Sequence, residues 1–296
     1  MSRVICAGHV NWDVTVGVEA LPDPDGEVPV ERSRKGGGGS AANVATALVD
    51  LGVDAALAGS VGDDPEGRRT RRELRAAGVD VTGVRTVADR ATTVKYLVVD
   101  AAGRVMVLGD SGANEAYDGD AVADDALAAA DRLHLTGQDP ETAASLAARA
   151  ADHGLAVSFD PGRRLDDRDY SATLDRADLL FLNEREARAA IRDNLGPVDD
   201  LDTTVVIKQG RDGAELFTPA GGYLRGSGFA VDPVDTTGAG DAFAAGFLAA
   251  LDRGEADLER ALAVANACGA LASETLGARA RLDRSAVASL VEGERI

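Results

Sequence analysis

Short apolar runs of strand length alternate with longer amphipathic runs of helix length along most of this chain, and that rhythm leaves few folds open. Val4–Val10, Asp54–Val61, Leu155–Phe159, Leu179–Leu182 and Val205–Lys208 read as strands. Ser40 reads as the cap of a helix to Leu51, with Ala42, Ala45, Leu48 and Val49 at helical spacing and Gly52 as the stop. Pro65–Ala77, Thr142–His153, Asp257–Thr275 and Arg284–Val291 read as further helices. Strands joined through helices lie parallel and need helices on both faces, so the reading is α/β with a mostly parallel central sheet. The chain has 296 residues, 45% of them hydrophobic, which suffices for one large core. There is no repeat and no long linker, so residues 1–296 read as a single domain.

Two stretches break the rhythm. Asp13–Val18 with Glu27–Arg32, and Thr92–Asp100 with Arg104–Leu108, read as paired strands without intervening helices. Ala101-Ala102-Gly103 reads as the turn of the second pair. Strands outside the alternation form a small sheet of their own, so residues 11–35 and 91–110 are expected to make a lid over the mouth of the main sheet. A closing lid excludes water from the chemistry beneath it.

The chemistry is clearest in Asp235-Thr236-Thr237-Gly238-Ala239-Gly240-Asp241-Ala242-Phe243, a bare turn entering an apolar helix. Such a turn leaves backbone N–H donors free at the positive end of the helix dipole, which makes an anion site. Asp241 sits inside it. A carboxylate beside an anion cradle can take a proton from a hydroxyl while the cradle holds a phosphoryl group. The plainer reading is a tight turn with Asp241 as its cap.

Composition excludes several classes. The formal charge is −19, from 50 acidic and 31 basic residues, which disfavours nucleic acid and anionic membranes as partners. Only Lys35, Lys95 and Lys208 are lysines, and the acids are spread along the chain. A solvated acidic shell purged of lysine resembles proteins of a high-salt cytoplasm. A GC-rich genome would explain the arginines but not the charge. No apolar run is long enough to span a membrane, and the N-terminus lacks a signal-peptide pattern. Cys6 and Cys268 make no disulfide framework or metal cluster, so a reduced, cytoplasmic protein is expected.

A second bare segment is Gly36-Gly37-Gly38-Gly39-Ser40-Ala41-Ala42-Asn43. A ligand can approach such a backbone closely, and Asn43 can both donate to and accept from hydroxyls. Gly36-x-Gly38-x-x-Ala41 could pass for a dinucleotide fingerprint, with Asp63 as the distant acid. However, it does not follow the first strand, and the Gly-Ala-Gly-Asp turn would be left without a role.

Together these segments resemble the ribokinase, or PfkB, family of sugar and nucleoside kinases. Gly38-Gly39-Ser40-Ala41-Ala42-Asn43-Val44-Ala45, then Leu51-Gly52 and Val61-Gly62-x-Asp64, resemble its first motif. Asp235 to Asp241 resembles its second. His134 to Pro140 and Ser158 to Gly162 look most like the family's archaeal members. The resemblance implies a three-layer α/β/α fold with a β-sheet lid, and phosphoryl transfer from ATP with Mg²⁺. It assigns Asp241 as general base and the N–H groups of Gly238, Ala239 and Gly240 as the anion hole. Asn11, Asp13, Gly38, Gly39 and Asn43 would bind the sugar. Asn183 and Glu186 match an Asn-x-x-Glu motif that orders Mg²⁺ through water. Lys208, Gly210 and Gly213 resemble the nucleotide loop, and Asn266 would lie beside the adenine. Asp235, with Gly277, would hold K⁺. The lid edge implies a homodimer.

The acceptor is less well marked. Leu135-Thr136-Gly137-Gln138 carries no acid where some ribokinases have a glutamate, which argues against simple ribose. Aromatics are only 4% of the chain, so a slot for a nucleobase would rest on Tyr96 and Trp12. Arg32, Arg34, Lys35, Lys95 and Arg104 lie on the lid segments and could meet a phosphorylated sugar, as could Arg163 and Arg164 after Asp160. His9, His134 and His153 show no ligand spacing and read as structural or surface groups. The expectation is a kinase for the primary hydroxyl of a sugar, with nucleoside and sugar-phosphate kinases as alternatives. A dinucleotide-dependent oxidoreductase and a non-catalytic ligand-binding regulator remain outside the class.

Overall fold

The computed structural model describes residues 3–192, 202–219, 221–252 and 257–293. Its main sheet has nine strands in the order β13-β12-β11-β10-β9-β8-β1-β4-β5. Here β1 is Arg3–Ala7, β4 Asp54–Gly62, β5 Val84–Val87, β8 Arg132–Thr136, β9 Ala156–Asp160, β10 Leu179–Asn183 and β11 Thr204–Lys208, all parallel to one another. β12 (Ala214–Phe217) and β13 (Tyr223–Gly226) add an antiparallel edge that the sequence pattern did not reveal.

Alternate residues of β1 serve opposite faces. Val4 and Cys6 join one buried cluster, and Ile5 and Ala7 the other. The first cluster is closed by α1 (Ser40–Asp50), α7 (Ala239–Asp252), α8 (Leu258–Ser273) and α9 (Arg284–Gly293). The second is closed by α4 (Pro140–Asp152) and α6 (Glu184–Arg192). Of the remaining helices, α2 (Pro65–Ala76) begins at Asp64, whose carboxylate accepts the Gly67 N–H at 2.7 Å, while α3 (Asp124–Ala128) and α5 (Ser171–Leu174) are short. The helix starting at Ser40 departs from expectation. Its cap is Gly39 at φ 95, and no side chain caps it.

The second sheet has the order β3-β2-β6-β7, with β2 at Asn11–Gly17, β3 at Arg32–Gly38, β6 at Val94–Val99 and β7 at Val105–Gly109. β2 runs antiparallel to β3 and parallel to β6, and β6 is antiparallel to β7. Gly103, at φ 77, makes the turn between β6 and β7. The expected strand Glu27–Arg32 is displaced to Arg32–Gly38. Glycine disfavours strands, so the residue pattern gives no strand signal over Gly36–Gly38. Larger groups fill the places of the missing Cβ atoms. A Cβ on Gly38 would lie 1.9 Å from Asp13 Oδ2, and one on Gly37 would lie 2.0 Å from Arg279 Nη1.

Candidate active site

The parallel strands of the main sheet end their C-terminal edges at a cleft of about 570 Å³, the position where α/β sheets take ligands. Asp160 ends β9, Asn183 ends β10 and Lys208 ends β11, while His9 follows β1. Lys95, Leu97, Val105 and Val107 of the small sheet close the opposite wall.

At the centre are the starts of α1 and α7. Asn43 Nδ2 donates to Asp241 Oδ2 at 2.7 Å. Burial pushes the Asp241 carboxyl up to about 6, and Asp160 adds to this; the Asn43 hydrogen bond, Lys208 and Lys95 oppose it. Such a group is a base at neutral pH and an acid slightly below it. Gly238 holds φ 80, and a Cβ there would lie 2.1 Å from the Ala278 carbonyl, so the turn admits no side chain. A Cβ on Gly240 would point towards Lys208 Nζ, 3.5 Å away. Ala239 N–H already donates to Thr236 O at 3.2 Å, so of the three expected anion-hole donors it is not free as the turn stands.

Lys208 Nζ donates to Asp160 Oδ2 at 2.6 Å, both side chains being largely buried. Burial pulls the Lys208 ammonium down, but Asp160 and Glu186 outweigh it and hold it above the usual lysine range. Glu186 is 3% exposed. Burial raises its carboxyl, Asp160 raises it further, and Lys208 opposes. Asn183 brackets it: Asn183 N donates to Oε2 at 2.9 Å and Nδ2 to Oε1 at 2.6 Å, while Glu186 N donates to Asn183 Oδ1 at 2.9 Å.

Asn11 and Asp13 enter the cleft from β2. Asn114 Nδ2 donates to Asn11 Oδ1 at 2.6 Å, and the buried Asn11 Nδ2 has no partner in the protein. Asp13 Oδ1 is likewise buried without a partner. Burial lifts the Asp13 carboxyl to about 6 against the pull of Lys95 and Arg279, with Asp235 adding to the rise. Unpaired buried polar atoms on a cleft wall call for a polar ligand. Cations gather at one side: Lys95, Arg163 and Arg164 line the cleft with His9. Arg163 and Arg164 push the Lys95 ammonium down after burial does, and Lys95 and Arg164 push the His9 imidazole down after burial does.

Most of the expected residues meet here. Asn11, Asp13, Gly39, Asn43, Asn183, Glu186, Lys208, Gly238, Gly240 and Asp241 all line this cleft. Asp235 lies behind it, 2% exposed, accepting Thr237 N at 2.9 Å and Gly277 N at 2.8 Å. Gly210, Gly213 and Asn266 stand apart from the cleft. A Cβ on Gly213 would lie 2.0 Å from Gly226 O, and one on Gly226 would lie 2.9 Å from Asn266 Nδ2, so Gly213, Gly226 and Asn266 adjoin one another. Asn266 Nδ2 is buried without a partner, which leaves a donor for a ligand beside that loop.

Several residues went unread. His9 is no surface group: its Nε2 meets Glu115 Oε1 at 2.8 Å. Arg168 grips Glu115 through Nη1 at 2.8 Å and Nη2 at 3.0 Å, and Nη1 donates to the Gln138 carbonyl at 2.7 Å. Burial works against the Glu115 charge, but His9 and Arg168 outweigh it and hold the carboxyl at about 2. Gln138, standing where an acid is missing, is fully buried and pairs with Tyr117 and Tyr170. Arg279, from the loop after α8, donates from Nε to Asn43 Oδ1 at 3.2 Å. The sequence pattern carries no local signal for these contacts, since His9 falls within the expected strand Val4–Val10 and its partner Glu115 lies far along the chain.

The sequence model of the pfkB family of carbohydrate kinases matches residues 1–284. An ATP-dependent ribose-1-phosphate kinase of Halopiger xanaduensis is 53% identical over 293 residues, covering 98% of each chain. A nucleoside kinase of Methanothermobacter thermautotrophicus is 30% identical over 91% of this chain and 86% of its own. Among solved structures, an Arabidopsis thaliana ribokinase complexed with ribose and ATP superposes with a TM-score of 0.83 at 26% identity, covering 98% of both chains.

Proposed function

The chain belongs to the pfkB family of carbohydrate kinases, and from that premise we propose that it transfers the γ-phosphate of ATP to the primary hydroxyl of a pentose 1-phosphate. The observation that carries this reading is the cationic side of the cleft. Lys95, Arg163 and Arg164 gather along the cleft, an arrangement that suits an acceptor already bearing a phosphate. The 53% identity to a ribose-1-phosphate kinase points the same way. It moves the reading from a free sugar, favoured by the sequence, to a sugar phosphate.

In this reading Asp241 takes the proton of the primary hydroxyl as its oxygen attacks the γ-phosphorus. The bond from that phosphorus to the β,γ-bridging oxygen breaks, and ADP leaves. The N–H groups of Gly238 and Gly240 and the Lys208 ammonium face the transferring group, with Ala239 joining if its turn bond opens. Asn11, Asp13 and Asn43 hold sugar hydroxyls, with Gly39 beside them on the cleft wall and Gly38 making room for the Asp13 carboxylate. The orphaned amide of Asn266 faces the adenine, and the Gly210–Gly213 loop lies against the nucleotide. Glu186 and Asn183 would hold Mg²⁺ through waters, where it would neutralise phosphate charge. Asp235 and Gly277 are bonded to each other, and each Asp235 oxygen keeps a lone pair with which to hold K⁺.

The small sheet acts as the lid. Its outer face carries Tyr96, Met106 and Leu108, at 49%, 39% and 55% exposure. That apolar stripe supports a homodimer formed lid to lid. The charge of −19 supports a working environment of high salt.

The substrate class is tested with Lys95→Ala and Arg164→Ala. Each is expected to raise KM for ribose 1-phosphate about tenfold or more while leaving KM for ATP within about twofold. Equal effects on ribose and ribose 1-phosphate would remove the sugar-phosphate reading and return the free sugar.

A further inference from the structure

Arg279 is almost entirely covered, its side chain 10% exposed, yet it belongs to no motif. Its Nη2 donates to the Gly38 carbonyl at 2.8 Å and its Nε to Asn43 Oδ1 at 3.2 Å. Its Nη1 stands 4.0 Å from Glu73 Oε2, and the same Glu73 oxygen accepts the Gly37 N–H at 3.0 Å. A Cβ on Gly37 would fall on this guanidinium. The glycine segment is therefore shaped around the buried cation.

The chemistry of the partners sets the direction of the next contact. A guanidinium has donors only, so the Asn43 atom facing it must be the amide oxygen. The amide nitrogen then has to face the other way, and there it donates to Asp241 Oδ2 at 2.7 Å. A carboxylate has acceptors only, so the opposite amide orientation would set two donors together at one end and two acceptors at the other.

We propose that Arg279 is a positioning residue for phosphoryl transfer: through Asn43 it keeps an N–H donor on the Asp241 carboxylate, and through Gly37, Gly38 and Glu73 it fixes the segment from which α1 starts. The inference rests on Asp241 being the base. The charged groups facing Asp241 are Asp160 at the end of β9, Lys208 at the end of β11, Lys95 of β6 and Arg279 itself. Burial pulls the Arg279 guanidinium down to about 10, with Glu73, Asp13 and Asp241 opposing, so it stays charged throughout the working range.

Without Arg279 the Asn43 amide is free to turn its oxygen towards Asp241. The carboxylate then loses its donor and keeps its proton to higher pH. The test is kcat against pH for the whole enzyme, comparing wild type, Arg279→Met and Arg279→Lys, each checked for folding by its thermal melt. In Arg279→Met the acidic limb should move up by about one pH unit, giving about a fivefold loss of kcat at pH 6 that shrinks as pH rises. KM for ATP should stay within about twofold. Arg279→Lys keeps a cation opposite Glu73 but not the rigid fork, so its limb should move the same way; it decides the matter if the methionine variant does not fold. In an Asn43→Ser background, Arg279→Met should move the limb much less, because only the loss of its own distant charge remains. An unmoved limb in a folded Arg279 variant, or the same shift in the Asn43→Ser background, overturns the proposal. An Asp241→Asn variant with wild-type turnover would instead overturn the base assignment on which it rests.

Discussion

Lys208→Met is a severe test of the electrostatics of this site. Lys208 and Asp160 form an ion pair at 2.6 Å with side chains 15% and 12% exposed. Asp160 also raises the carboxyls of Glu186 and Asp241, so the lysine holds three acids together. Removing it leaves Asp160 unpaired among like charges. Breaking a buried pair from one side costs about 3–5 kcal/mol, and the residual exposure puts this case near the lower figure, about 3 kcal/mol. For a chain of 296 residues the unfolding entropy corresponds to about 0.6 kcal/mol per degree, so Tm should fall by about 5 °C at pH 7.5. Lys208→Met/Asp160→Asn should recover most of the stability but not the activity, because the ammonium proposed to face the phosphates is then gone. Thermal melts of the three proteins in matched salt decide it. A single variant as stable as wild type, or a double variant no better than the single, would refute the reasoning.

Asp241 should be costly to the fold. Its folded pKa of about 6 lies above the ordinary carboxylate value of 3.8, so the native state holds the proton more tightly than the unfolded chain does. Stability from this group is therefore lost as pH rises from about 4 to 6. Asp241→Asn should melt higher than wild type at pH 7.5 and equally at pH 4, and a lower Tm at pH 7.5 would contradict the assignment. On the lid, Leu108→Glu places a charge in the exposed apolar stripe beside Tyr96 and should convert a dimer to monomer in sedimentation without changing the melt; a monomeric wild type would dismiss the dimer.

The residues legible in the sequence share one property: their place in the fold is set locally. Asn183 and Lys208 lie at the ends of apolar strand runs, and the Gly238–Asp241 turn opens an apolar helix, so a parallel sheet brings them to one edge. Arg279 and Glu115 are different. Arg279 reaches Asn43 across 236 positions and Glu115 reaches His9 across 106, and nothing nearby in the chain announces either contact. The Gly36–Gly38 end of β3 was misread for a related reason. Strand preference reflects the packing of side chains, and here the packing groups are Asp13 and Arg279, which come from elsewhere. The edge strands β12 and β13 are four residues each, too short for a periodic signal.

The most direct measurement is ADP release from MgATP by the purified enzyme in molar KCl. Acceptors would be ribose 1-phosphate, ribose and a set of nucleosides, with NaCl and low-salt controls and Asp241→Asn in parallel. The account predicts strong stimulation by the sugar 1-phosphate, weaker turnover when K⁺ is replaced or salt withdrawn, and a loss of about 10²-fold or more in the variant. Stimulation by none of these acceptors in a folded protein, or undiminished turnover in Asp241→Asn, would contradict it.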